Sequence, residues 1–127
     1  MTRRLLMCSI ALVTLACGGG GSSPSTSSSP PSSSGQTVVF KENEYTIDPA
    51  KSTLKPGTYT FQVQNLGQFP HDLHIATSDG SELGATTVMR TNQNASLKVT
   101  LKAGTYTIWC AVDAHRSLGM EGSITVS

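Results

Sequence analysis

Cys110, His115 and Met120 stand near the C-terminal end in a Cys-x4-His-x4-Met pattern. A strand that ends in a cysteine and returns through a short loop can aim a thiolate, an imidazole and a thioether at one point. Sulfur donors are soft and imidazole is borderline, a mixture that suits copper. Two histidines and a cysteine with a distant axial methionine make a site for single-electron transfer. The second histidine must come from elsewhere, and the segment Asn65-Leu66-Gly67-Gln68-Phe69-Pro70-His71-Asp72-Leu73-His74-Ile75 offers two. His71 follows Phe69-Pro70 at the mouth of an expected strand, with Leu73 and Ile75 on its side at period two, so His74 falls on the opposite face. His71 is the expected ligand, His74 a surface histidine, and Met89, outside both segments, a core residue.

The other cysteines support this use of Cys110. The chain of 127 residues has three cysteines. Cys8 lies in a short apolar run after Arg3-Arg4, a secretory signal pattern too short to span a bilayer. Leu15-Ala16-Cys17 opens a Gly/Ser stretch and resembles the lipobox of bacterial lipoproteins, with Thr14 where leucine is usual. That resemblance makes Cys17 an acylated anchor and residues 1–16 a removed signal. The expected location is the cell envelope, at the outer face of the cytoplasmic membrane or at the outer membrane. Cys110 is then alone in an oxidising compartment where cysteines normally pair, so it is either an inert buried group or a thiolate ligand. Without residues 1–16, seven Lys/Arg face eight Asp/Glu, and no basic patch with interleaved aromatics is present, which excludes a nucleic-acid partner.

Positioning these ligands falls to residues 37–127. Residues 17–36 are almost all Gly, Ser and Pro after the cysteine, a composition that buries no apolar surface. As a flexible tether it would reach about 24 Å. From Thr37 the pattern is short strands and turns, read as Thr37–Phe40, Glu44–Asp48, Gly57–Asn65, His71–Thr77, Ser96–Lys102, Thr105–Cys110 and Gly122–Val126. Tyr59, Phe61 and Val63 alternate with polar residues, as do Val99 and Leu101, which predicts half-buried strands. Pro56-Gly57, Asp79-Gly80 and Ala103-Gly104 supply turns. The segments Leu54-Lys55-Pro56-Gly57-Thr58-Tyr59 and Leu101-Lys102-Ala103-Gly104-Thr105-Tyr106 resemble each other and read as equivalent turn-plus-strand entries. The expected class is an all-β sandwich or barrel of seven to eight strands.

The Asn65-x-Gly67…Pro70-His71-Asp72 stretch and the Tyr106-x3-Cys110-x4-His115-x4-Met120-x-Gly122 stretch resemble the two halves of the cupredoxin copper site. Within the plastocyanin, azurin and auracyanin group the loop spacing is most similar to auracyanin. The resemblance implies a Greek-key β-sandwich holding one copper ion, Cu(I)/Cu(II), at one end. It also implies that His115 lies at the surface as the electron port. Asp72 stands where many members have asparagine; its backbone N–H is expected to support the Cys110 sulfur, and a backbone carbonyl is expected to orient His71. Trp109 should face away from the copper and pack in the core. Phe69, Pro70, Ala114 and Leu118 are candidates for an apolar rim that docks redox partners, such as a cytochrome or a membrane electron-transfer complex, with Asp113 and Arg116 tuning the choice.

The reading is therefore a monomeric electron carrier, not an enzyme. Methionine is a poor fourth ligand for a hydrolytic zinc ion, and three histidines are too few for a multicopper enzyme. A module for copper storage, delivery or sensing would use the same ligands, although the Met- or His-rich tracts of copper carriers are absent. An empty sandwich used for adhesion would not need all four ligands.

Overall fold

The computed structural model describes residues 35–127. Cys17 and the expected signal and tether lie outside them.

Among the described residues nine strands follow one another: β1 (Gln36–Asn43), β2 (Thr46–Asp48), β3 (Lys51–Leu54), β4 (Gly57–Asn65), β5 (His74–Thr77), β6 (Glu82–Ala85), β7 (Asn94–Leu101), β8 (Gly104–Trp109) and β9 (Glu121–Val126). They form two sheets, ordered β2-β1-β4-β7 and β3-β9-β8-β5-β6. The pairing is antiparallel except for β1 with β4 and β3 with β9, which are parallel. The result is a Greek-key β-sandwich, as the resemblance implied.

Period-two alternation makes the sandwich. In β4 Tyr59, Phe61 and Val63 are buried, in β8 Tyr106 and Ile108, and in β9 Ile124 and Val126. They meet between the sheets with Phe40, Leu101, Leu73 and Ile75. Phe40 and Phe61 pack edge to face at 5.1 Å. Each such side chain contributes roughly 1.5 to 3 kcal/mol by leaving water. Two polar residues extend the inward rows: Asn65 follows Val63 in β4 and Glu42 follows Phe40 in β1, both fully buried.

The two similar segments have the same local structure. Tyr59 Oη donates to Lys55 O at 2.7 Å and Tyr106 Oη to Lys102 O at 2.8 Å, each across four residues. Both are tyrosine corners that pin a strand's start to the turn before it.

Three expectations need correction. The strands β3 and β6 were not anticipated, since four residues such as Lys51–Leu54 or Glu82–Ala85 are too short for alternation to declare itself. The strand expected from Glu44 begins at Thr46, because Glu44 and Tyr45 form the hairpin turn, with Tyr45 at φ 61°. The strand expected from His71 begins at His74; before it, His71 makes an isolated bridge with Met89, its N–H donating to Met89 O at 3.0 Å and its carbonyl accepting from Met89 N at 2.7 Å.

Candidate metal centre

β8 runs out at Trp109, and Cys110 follows on the inward face set by Tyr106 and Ile108. The next ten residues turn back to β9. His115 N–H donates to Val112 O at 3.1 Å, and Leu118 N–H to His115 O at the same distance. A single 3-10 turn, Arg116–Leu118, ends at Gly119, whose φ of 107° suits glycine. Met120 N–H then donates to His115 O and Cys110 N–H to Met120 O, both at 3.1 Å. The backbone alone thus ties Cys110, His115 and Met120 into one unit. His71 reaches it from the other side, on a segment fixed by its bridge to buried Met89.

Cys110 Sγ lies 3.8 Å from His71 Nδ1 and 3.6 Å from His115 Nδ1, and the two Nδ1 atoms are 3.2 Å apart. All three residues are buried, and they form the one metal-capable group of three His, Cys, Asp or Glu side chains found among the described residues. Metal–nitrogen bonds of about 2.0–2.1 Å and metal–sulfur bonds of about 2.3 Å span a triangle of this size. Met120 is buried beside them, at 0 % exposure. The donor set of two imidazoles and a thiolate fits one copper ion.

The electrostatics of the metal-free site favour neutral ligands. Burial pushes the Cys110 thiol up to about 11, although the backbone N–H groups of Asp72 and Val112 pull the other way by bonding the sulfur. A bound cation reverses that balance and secures the thiolate. Burial, followed by the neighbouring His115, lowers the pKa of His71, which leaves a lone pair free for a metal.

Asp72 does more than the sequence suggested. Its Oδ1 accepts Ala111 N–H at 2.7 Å, and its Oδ2 faces His74 Nε2 at 3.3 Å. His74 is on the face opposite His71, as expected, but it is half-buried rather than a free surface group. Its Nδ1 meets Glu82 at 3.2 Å and its ring stacks on Trp109 at 5.3 Å. Trp109 faces away from Cys110, yet it is not in the core: its other contact is the Arg116 guanidinium, 4.5 Å from the ring centroid. Arg116 in turn pairs with Glu121. Sheet register explains this, since Trp109 is paired directly with His74 on the outer face.

Two further expectations are corrected. His115 is only 6 % exposed, and the Tyr45 ring packs edge to face with it at 5.2 Å. No backbone carbonyl orients His71: its Nε2 is buried without a partner. The rim residues Phe69, Pro70, Ala114 and Leu118 are all exposed, Phe69 by 52 % and Leu118 by 56 %.

Two carboxylates near the site went unread in the sequence. Glu42 is fully buried with both oxygens unpartnered, and burial, with Asp72 nearby, pushes its pKa up to about 8. Its place two residues after Phe40 was the available signal. Glu44 lies in the β1–β2 turn, where its Oε1 accepts Gln68 N–H and, at 3.1 Å, Phe69 N–H. These bonds hold its carboxyl below the usual range. No local pattern announces a contact with residues 24 positions away.

The family model of the cupredoxin-like domain matches residues 9–126. This chain belongs to the cupredoxin-like family. Solved structures agree on the fold. The cupredoxin domain is similar to dithionite-reduced auracyanin from Roseiflexus castenholzii, with 20 % identity, a TM-score of 0.66, and coverage of 72 % of this chain and 97 % of that one. Auracyanin B gives 17 % identity and a TM-score of 0.67, covering 72 % and 88 %. Auracyanin A, a blue copper protein from Chloroflexus aurantiacus, gives 16 % and 0.62, covering 72 % and 98 %. No curated protein sequence matches the chain. A cupredoxin whose His71, Cys110 and His115 donors converge retains the core of a copper site.

Proposed function

We propose that this cupredoxin carries single electrons between redox proteins at the extracytoplasmic face of a membrane, using one copper ion held by His71, Cys110, His115 and Met120. The observation that carries the reading is the triangle of two Nδ1 atoms and one Sγ, every edge between 3.2 and 3.8 Å. Bound copper supplies a one-electron change of oxidation state. The residues supply rigidity. Cys110 and Met120 are joined through the backbone, and His71 is bridged to Met89. A site whose ligands are held in place by packed strands needs little rearrangement when its charge changes, which favours fast exchange.

His115, 6 % exposed, serves as the port. Phe69, Pro70, Ala114 and Leu118, chain neighbours of the two histidines, form a small apolar rim for brief docking. Asp113 and Arg116 at its margin bias the choice of partner through association rate. An exported monomer tethered through acylated Cys17 would meet membrane-bound or soluble partners by swinging on residues 17–36.

Voltammetry of the copper-loaded protein tests the reading. A reversible one-electron wave with rapid self-exchange supports electron carriage. An irreversible wave with metal loss on each cycle would favour copper storage or delivery instead.

A further inference from the structure

A histidine that binds a metal through Nδ1 must carry its proton on Nε2, and that N–H needs an acceptor to fix ring and tautomer. His71 turns Nδ1 toward Cys110 and His115, so Nε2 is the remote atom, and it is buried without a partner. The nearby loop carbonyls are already engaged: Phe69 O and Met89 O accept from Asn65 Nδ2 at 2.8 and 2.9 Å, and Gln68 O accepts from Thr91 Oγ1 at 2.9 Å. Asn65 Oδ1 is taken by Gly67 N–H.

The bare face of Gly67 separates His71 from Glu44. A Cβ built on Gly67 would stand 3.1 Å from His71 Nε2 and would overlap Glu44 Oε1. The histidine nitrogen and the carboxylate therefore converge on one small space that exists because residue 67 has no side chain. Glu44 is held there by Gln68 and Phe69, which bond Oε1 and leave Oε2 as a spare acceptor.

We propose that Glu44 is the positioning residue for His71: across the open face of Gly67 its carboxylate accepts the Nε2–H, directly or through one bridging water, and so reserves Nδ1 for copper. Glu44 is not itself a ligand. The inference rests on His71 being a ligand and is independent of whether the copper relays electrons. A carboxylate behind a metal-bound histidine raises the basicity of the ring and fixes its orientation, and removing one typically lowers metal affinity roughly 10- to 100-fold.

The test compares Glu44→Ala and Glu44→Gln in the full chain. The amide oxygen of glutamine still accepts the Gln68 and Phe69 N–H groups, so it preserves the loop clamp, but it is a neutral and weaker acceptor for His71. Solvent exchange of the His71 Nε2–H is followed by NMR on metal-free protein at pH 8, and copper affinity by chelator competition. Faster exchange is expected in both variants, by roughly tenfold or more in Glu44→Ala and less in Glu44→Gln, with copper affinity falling in the same order. A Glu44→Gln protein equal to the unmodified one in exchange and affinity, whatever Glu44→Ala does, would reduce Glu44 to a loop clamp and overturn the proposal. Because the exchange is read without metal, a failure of the copper reading would show separately, as an unmodified protein that binds no copper.

Discussion

The Asp72 carboxylate accepts the backbone N–H of Ala111 at 2.7 Å. It thereby joins the segment that carries His71 to the loop that starts at Cys110, two halves of the site that are 39 residues apart in the chain. Asp72 is only 7 % exposed, so the bond is largely shielded from water. A hydrogen bond to a charged group of this kind contributes roughly 1.5 to 3 kcal/mol. Asp72→Ala is expected to lose about that much stability in urea unfolding of the metal-free protein, while Asp72→Asn, which keeps an oxygen at the same place, loses less. Equal losses in the two variants would mean that the Ala111 bond is not what Asp72 contributes.

Glu42 makes folding stability depend on pH. Its carboxyl titrates at about 8 in the folded protein against an ordinary value of 4.5. In the unfolded chain the proton leaves near the ordinary value; the folded protein keeps it. The unfolded state therefore binds fewer protons between these pH values, and stability falls as pH rises through the window, by up to about 5 kcal/mol. Below the window the group contributes no slope. Glu42→Leu should flatten the decline and be the more stable protein at pH 8, with urea midpoints measured from pH 4 to 9 on metal-free samples. Parallel curves for the two proteins would show that Glu42 is not the source.

The Tyr59 corner should contribute one ordinary hydrogen bond and the Tyr106 corner two, since Tyr106 Oη also accepts Lys102 N–H at 3.0 Å. Tyr59→Phe is expected to cost about 1 kcal/mol and Tyr106→Phe up to about 2 kcal/mol, with the ring packing left intact in both. Thermal or urea unfolding measures this. A large cost at one corner and none at the other would refute their shared role.

Docking through the apolar rim is tested at Leu118, which is 56 % exposed in the turn that follows His115. Leu118→Asp places a charge on the rim without touching a ligand. Electron self-exchange, read from NMR line broadening in mixtures of oxidised and reduced protein, is expected to slow roughly tenfold through like-charge repulsion. The visible spectrum should not change. An unaltered exchange rate would move the port elsewhere.

The parts of the molecule legible in the sequence are those set by local period and local spacing. Gly57–Asn65 is legible to the residue because Tyr59, Phe61 and Val63 alternate through a full strand. The Cys110-x4-His115-x4-Met120 spacing announced one loop, and the loop closes through bonds among those same residues. Alternation also separated His71 from His74, although His71 is held by a bridge to Met89 rather than by the strand itself. What stayed hidden comes from pairing between distant segments. Trp109 meets both His74 and Arg116, and its stacking on His74 arises because β8 lies beside β5 in a register that no short window reveals. The reach of Glu44 to Gln68 and Phe69, and the burial of Glu42, likewise depend on where the β1–β2 turn lands.

Adding Cu(II) to the purified protein and to its Cys110→Ser variant tests the central claim most directly. A copper-bound thiolate gives an intense charge-transfer band in the visible. The account predicts a blue protein with one copper per chain, a band that bleaches on reduction and returns on reoxidation, and a colourless Cys110→Ser variant. No band in the unmodified protein, or a band that survives Cys110→Ser, would contradict it.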